Sequence, residues 1–468
     1  MHLQGRRFGS MLASVMELLF GLRRRVTPRA YAGWGFGLFA LKYAVDWALS
    51  ARFATHPLGL FMYLNPLLSQ RLDAMGSYPT WLPVLMAVWS LPFVWVGLIM
   101  SARRAVDAGK SPWLSLLFFV PVVNYFLIVG LCVARSVDPD SPASTLPLTN
   151  ATSVPRLQIA LKALFGAIVF SMLAVPIAVY VAQGYGGVLF MGTPFVIGVI
   201  SGVLFNREAP QSLRATLGVA TIGVTLCGGL LLIFALEGVL CLAMAAALAL
   251  PLTWLGAVVG RSWSSDRRVA GSMVVAWPLL VFMPWNRAEG FPVRAVVSSI
   301  EIDAPPERVW PNIVGFSELP PPSEWLLKTG IACPLRAHIE GQGVGAVRYC
   351  EFSTGPFVEP ITTWEPPLLL AFDVAKQPPS MKEWSPYEVV HAPHVVGSMQ
   401  SVHGEFRITP LPNGRSRLQG TTWYRLKMAP TAYWTLYGDA VIHVIHTRVL
   451  RHIRNLSEAS QGSARASP

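Results

Sequence analysis

A run of long apolar segments limits this chain more than any other feature: 31–51, 80–101, 112–134, 157–182, 188–205, 215–236, 238–259 and 269–285. Crossing a hydrocarbon core of about 30 Å takes roughly 20 apolar residues in a helix. Each segment is near that length, so the sequence predicts eight spans. The weakest is 188–205, which is short and broken by Gly192, Pro194, Gly198 and Gly202. Ahead of them, Arg6 and Arg7 precede an apolar run at 11–22, and Arg23, Arg24 and Arg25 follow it with no small-residue cleavage site. That pattern predicts a helix lying in the membrane interface rather than a cleaved leader.

Charge separates the chain into two parts. Residues 1–289 carry 21 Lys and Arg against 10 Asp and Glu, whereas residues 290–468 carry 16 against 15. The basic excess therefore lies among the apolar segments. A nucleic-acid-binding face would need that excess in the soluble part, so nucleic acid is not an expected partner. Basic residues in short loops mark the inner face of a membrane, and six arginines before the first span predict a cytoplasmic N-terminus. Arg103, Arg104 and Lys110 predict that the next loop is inside, and the Pro/Ser/Thr-rich linker 136–156 then lies outside. Eight spans return the C-terminal part to the cytoplasm but leave Arg261, Arg267 and Arg268 outside. Omitting 188–205 would bring those arginines inside and export the C-terminal part. Five cysteines with neither CxxC nor Cys/His spacing predict no disulfide framework, no metal site and a reducing compartment.

From Pro292 the pattern changes to short alternating runs bounded by turn residues. VVSSIEI (296–302) reads as a strand and DAPPERVW (303–310) as a helix start. GAVRYCEF (345–352), FVEPITTW (357–364), LLLAFDV (368–374), VHGEFRIT (402–409) and RLQGTTWYRL (417–426) read as an antiparallel meander with a PNG turn at 412–414. A long helix follows over about 431–456. The fold class is thus a polytopic α-helical membrane domain followed by a soluble α+β domain, an antiparallel sheet wrapped around a C-terminal helix. The expected organisation is an interfacial helix and three spans over 1–135, a linker at 136–156, and about five spans over 157–289. The soluble domain takes 290–458, where it should fold alone, and 459–468 forms a disordered tail.

This order of elements resembles the START-like helix-grip (SRPBCC) superfamily, which includes Bet v 1-like proteins and polyketide cyclase/dehydrase and lipid transport domains. The likeness is carried by SSIEIDAPPERVWPNIVGF (298–316), GQGVGAVRYCEFSTGPFVEPITTWEPPLLLAFDV (341–374) and GRSRLQGTTWYRL (414–426). It implies a cavity between sheet and helix that accepts apolar ligands, and it implies no catalytic residue. RRAVDAGKSPWLSLLFFVPVVNYFLIVGL (103–131) is similar to bacterial inner-membrane proteins grouped as domain of unknown function 805, with Val106 where a His is usual. That resemblance implies a bacterial inner membrane and no chemistry.

Strand alternation turns Leu370, Phe372, Phe406, Thr422 and Tyr424 inward, and helical spacing places Trp434 and Ile445 on one stripe of the long helix. These seven are the expected ligand wall; the same residues would equally make a filled core. Asp439, His443 and His446 share a helix flank at i, i+4, i+7 and could hold a metal or move protons, although surface histidines are commoner. Lys42 and Asp46 are spaced to pair within the first span. The sequence therefore favours a membrane-anchored, non-catalytic module that binds a lipid or other hydrophobic small molecule, needs no cofactor, and has membrane lipids as partners. A cyclase- or hydrolase-like enzyme with a His/Asp-lined cavity, or a transporter acting through the spans, is the alternative.

Overall fold

The computed structural model describes residues 19, 25–65, 68–79, 81–120, 122–137, 153–181, 185–234, 236–264, 292–385 and 394–465. The expected interfacial run (apart from Leu19), the middle of the linker and the 269–285 span lie outside the described residues. Five helical stretches are long and apolar enough to cross a membrane: Trp81–Asp107, Gln158–Val179, Val188–Asn206, Leu213–Ile233 and Val239–Ser262. The corresponding helices are α2 (Trp81–Asp107), α4 (Ser153–Pro176), α5 (Thr193–Asn206), α6 (Leu213–Ile233) and α7 (Val239–Ser262). Before them, α1 (Pro28–Phe53) starts with Thr27 as its N-cap, whose hydroxyl accepts from the Ala30 amide at 3.3 Å. Lys42 and Asp46 pair within α1 as their spacing requires, and α1 is not one of the five.

The expected span 112–134 is not a single helix long enough to cross a membrane. It is a 3-10 helix (Pro112–Phe119) followed, after a reversal at Val122 (φ 67°), by the 11-residue helix α3 (Val123–Val133). At 1.5 Å per residue α3 reaches about 16 Å, half a hydrocarbon core. Fully buried Arg104 ties its end back, donating to the carbonyls of Leu131 (3.0 Å) and Ala134 and to Asp107 (2.7 Å). Asp107 also accepts from Ser136 Oγ at 2.6 Å, and its carbonyl accepts from the Val137 amide at 2.9 Å. The chain thus returns to the end of the bundle it left. Composition registered an apolar length; only these hydrogen bonds reveal the turn.

The expected span 188–205, weakest by sequence, is one of the five, Val188–Asn206, and is tightly enclosed by its neighbours. Its glycines let α5 lie directly on α7. A Cβ on Gly198 would stand 2.1 Å from the Thr253 carbonyl oxygen, and one on Gly202 2.4 Å from that of Ala257. Gly256 and Gly260 reciprocate at 2.0 and 2.3 Å from the Phe195 and Val199 carbonyl oxygens. Small residues every fourth position permit such close approach in membranes, and Thr253 Oγ1 adds a bond to the Pro194 carbonyl at 3.1 Å.

Beyond the bundle lies a seven-stranded antiparallel sheet in the order β1-β7-β6-β5-β4-β3-β2. Its strands are β1 (Val293–Ile302), β2 (Pro334–Glu340), β3 (Val347–Phe352), β4 (Gly355–Glu365), β5 (Leu369–Asp373), β6 (Met399–Leu411) and β7 (Arg415–Leu426). β2 was not anticipated from the sequence. Asn413 and Gly414 take the positive φ values that the β6–β7 turn demands. Helix α8 (Pro306–Val314) follows β1, and α9 (Thr431–Arg465) fills the curl of the sheet, continuing past the expected end near 456. This is the helix-grip fold.

Sheet and bundle share one apolar core. Tyr185, Leu189 and Ile197 from the membrane part cluster with Tyr424, Leu426, Met428, Trp434 and Ile442. The Phe190 and Trp434 rings meet at a tilt of 58° with centres 4.7 Å apart, Ala429 donates to the Tyr185 carbonyl at 2.9 Å, and Tyr433 Oη donates to the Met244 carbonyl. A Gly198→Ala substitution should lower the melting temperature in detergent, at roughly 1–3 kcal/mol for forced overpacking. Gly218→Ala, which meets nothing within 4 Å, should leave melting unchanged.

Candidate ligand cavity

The curl of the sheet leaves a cavity of about 150 Å³ between its inner face and α9. Phe316, Phe352, Phe357, Phe372 and Phe406 line it from below, and Val441, Ile442 and Ile445 roof it from the helix. Gly404 makes the space possible, because a Cβ there would stand 2.4 Å from the Phe372 ring. An apolar pocket of this order has room for a single aromatic ring.

A buried ion pair sits in the cavity wall. Arg348 on β3 and Glu359 on β4 are direct cross-strand partners, 2% and 6% exposed, with the guanidinium bonded to the carboxylate. The guanidinium carbon lies 5.7, 5.3 and 5.6 Å from the ring centres of Phe316, Phe372 and Phe406. Such cation–π contacts contribute most when desolvated. Burial pushes the Glu359 carboxyl up, against the pull of Arg348. Sequence reasoning missed both residues, yet the signal was present: in β3, Arg348 shares the face of buried Cys350, and in β4, Glu359 shares that of buried Ile361.

Of the seven residues expected on the ligand wall, the structure brings four together: Phe372, Phe406, Thr422 and Ile445. Leu370 is fully buried in the core behind them. Tyr424 and Trp434 belong to the seam with the membrane helices. They face inward, as the alternation and spacing require, but α9 is longer than the cavity. Its first turns cover the bundle instead.

The Asp439, His443, His446 flank does not converge on a shared centre. Asp439 takes a bidentate contact from Arg294 (2.9 and 2.6 Å) and the Tyr424 hydroxyl at 2.7 Å. Desolvation is the largest single influence on the Asp439 carboxyl and raises it, but the hydrogen bonds from Arg294 and Tyr424 and the Arg294 charge together outweigh it and hold the group below its ordinary range. His443 Nδ1 bonds Ser298 Oγ at 2.8 Å; His446 bonds Thr422 Oγ1 at 2.8 Å and Ser298 at 3.2 Å. These contacts fasten α9 to β1 and β7. His446 also stands on the cavity wall, where burial first and neighbouring His443 second bring its pKa to about 4. It is therefore neutral at ordinary pH. His403, also on the wall, is tied at 2.8 Å to exposed Asp373.

Residues 294–426 match the family described as polyketide cyclase / dehydrase and lipid transport. Residues 19–141 match a protein family of unknown function, DUF805. The C-terminal part is thus similar to polyketide cyclase / dehydrase and lipid transport domains, and it follows helices long and apolar enough to cross a membrane. Among solved structures, the Zhui aromatase/cyclase from Streptomyces sp. R1128 is 17% identical, the match covering 36% of this chain and 94% of that one, with a TM-score of 0.25. Norcoclaurine synthase from Thalictrum flavum, in complex with dopamine and hydroxybenzaldehyde, is 10% identical over 39% of this chain and 92% of its own, also with a TM-score of 0.25. No curated protein matches the chain.

Removing one member of a buried ion pair strands the other charge, at about 3–5 kcal/mol. Glu359→Gln should therefore lower the melting temperature sharply, and the double change Arg348→Met with Glu359→Leu should recover most of the loss. Unchanged melting of Glu359→Gln would show that the pair is not desolvated as described.

Proposed function

We propose that this protein is a membrane-anchored helix-grip module that binds a small hydrophobic molecule, in a non-catalytic role as sensor or carrier. The observation that carries the reading is the cavity itself: an aromatic wall enclosing about 150 Å³, with one desolvated Arg348–Glu359 pair in that wall. Shape selects a ring-sized or short-chain ligand, and the pair offers an orienting polar contact. The four residues Phe372, Phe406, Thr422 and Ile445 are the proposed ligand contacts. A second reading, turnover of the ligand, is favoured by neutral His446 beside Thr422 on the wall, a pairing able to accept a proton.

The side of the membrane follows from which residues share an end of the bundle. Lys162 pairs with Glu208 at 2.9 Å, Arg261 donates to the Gln211 carbonyl at 3.0 Å, and Arg25 donates to that of Val137 at 3.4 Å beside Asp107. Leu116, just past Asp107, packs on the Ile159–Ala160 cluster. Arg25, Arg104, Lys162, Arg207, Arg214 and Arg261 therefore gather at one end. The helix-grip domain sits at the other, beside Tyr185 and Met244, where the described residues of the membrane part offer Arg52 and Arg71. By the positive-inside rule the basic end is cytoplasmic. Counting eight spans put the domain in the cytoplasm; with 112–134 turning back, our reading places it on the extracytoplasmic face, and Arg261 becomes internal.

Binding is tested by thermal unfolding of the whole chain in nanodiscs with water-soluble single-ring and bicyclic aromatics. Occupation at about 100 times Kd stabilises by roughly 2.7 kcal/mol. The expected result is a saturable rise in melting temperature that Thr422→Trp removes without lowering the starting value. No saturable rise with any probe, together with a destabilised Thr422→Trp, would mean a packed core. Recovery of a chemically altered probe would favour turnover.

A further inference from the structure

A second cluster of reactive groups lies outside the cavity, where α7 begins and the helix-grip domain rests on it. Glu237 stands just before α7, Cys241 in its first turn, and His394 at the start of a short helix, His394–Gly397, that precedes β6. One donor atom from each lies within 4.8 Å of the others. His394 Nε2 is 2.8 Å from Cys241 Sγ, and its Nδ1 is 3.7 Å from Glu237 Oε2. Glu383 closes the group, its carboxylate pressed so near Gly238 that an added Cβ would meet Oε2 at 2.0 Å.

The cluster is electrically incomplete. His394 is 8% exposed, yet its Nδ1 has no hydrogen-bond partner, and neither has Glu237 Oε2 nor either carboxylate oxygen of Glu383. Among the described residues no lysine or arginine pairs with either glutamate. Buried polar atoms are ordinarily satisfied, and buried carboxylates ordinarily meet a cation.

We infer that Glu237, Cys241 and His394, with Glu383 as fourth donor, form a divalent transition-metal site of the zinc class that clamps the helix-grip domain to the membrane bundle. The donor set mixes thiolate, imidazole and carboxylate, which suits zinc and cobalt and disfavours calcium or magnesium. Tetrahedral bonds of about 2.0–2.3 Å hold donor atoms roughly 3.5 Å apart, and one donor atom from each of Glu237, Cys241 and His394 already lies within 4.8 Å of the others, so small side-chain adjustments reach that spacing. The two sides of the site come from separate folding units. A bound ion therefore joins α7 to the segment whose Ser380 bonds the Val395 carbonyl on the cavity rim. The sequence concealed this site because its donors are 153 residues apart between Cys241 and His394.

The test uses the whole chain in nanodiscs, stripped with chelator and titrated with Co²⁺. One equivalent should bind with a thiolate-to-cobalt charge-transfer band, Zn²⁺ should displace it, and either ion should raise the melting temperature. Cys241→Ser should abolish the band, His394→Gln should weaken binding at least tenfold, and Cys227→Ser, a buried thiol elsewhere in the bundle, should change neither. A folded parent protein that shows no charge-transfer band, or a band that survives in Cys241→Ser, would overturn the site whatever the stability of the variants.

Discussion

The apolar seam between Phe190, Tyr185 and Trp434 is the contact on which the rest of the arrangement depends. Each large side chain removed from water there contributes roughly 1.5–3 kcal/mol, and the seam holds several. Backbone hydrogen bonds cross its edge, from Ala429 to Tyr185 and from Val239 to Trp384, at 2.9 Å each. Because Trp434 and Tyr424 are used in this way, the lower half of the α9 stripe is unavailable to a ligand. The cavity is restricted to the upper half, and its small size follows. The seam also sets which end of the bundle carries the domain.

Inside the domain, one costly feature is set in otherwise apolar surroundings. Burying Arg348 and Glu359 brings a desolvation penalty of several kcal/mol per ion, which their attraction offsets only when geometry and hydrogen bonding are good. Three phenylalanine faces and the Val314 carbonyl at 3.3 Å supply the remaining partners of the guanidinium. A core built only for stability would do as well with two apolar side chains. In the proposed function the pair is the binding feature, a fixed dipole in the cavity wall.

Much of the fold was legible because its periodicities are strong. Alternation placed Phe372, Phe406 and Thr422 on the inner face, and helical spacing placed Ile445 above them. Three things escaped. Arg348 and Glu359 lie in the inward register, but a charge there is read as outward unless its cross-strand partner is recognised. The 112–134 segment has a span's composition, and its return depends on Arg104 reaching carbonyls 27 and 30 residues along the chain. The glycines of 188–205 looked like interruptions, whereas against Gly256 and Gly260 they are the contact surface. Each miss is tertiary: the residue was visible, its partner was not.

The account stands most directly on the side of the membrane that carries the helix-grip domain. Trp325, 75% exposed on that domain, and exposed Ala209, at the basic end of the bundle, are suitable reporters. Single Trp325→Cys and Ala209→Cys proteins in spheroplasts can be treated with a membrane-impermeant maleimide before and after permeabilisation. The account predicts labelling of Trp325→Cys in intact spheroplasts and of Ala209→Cys only after permeabilisation. The reverse pattern would contradict it, returning the domain to the cytoplasm and requiring 112–134 to cross after all.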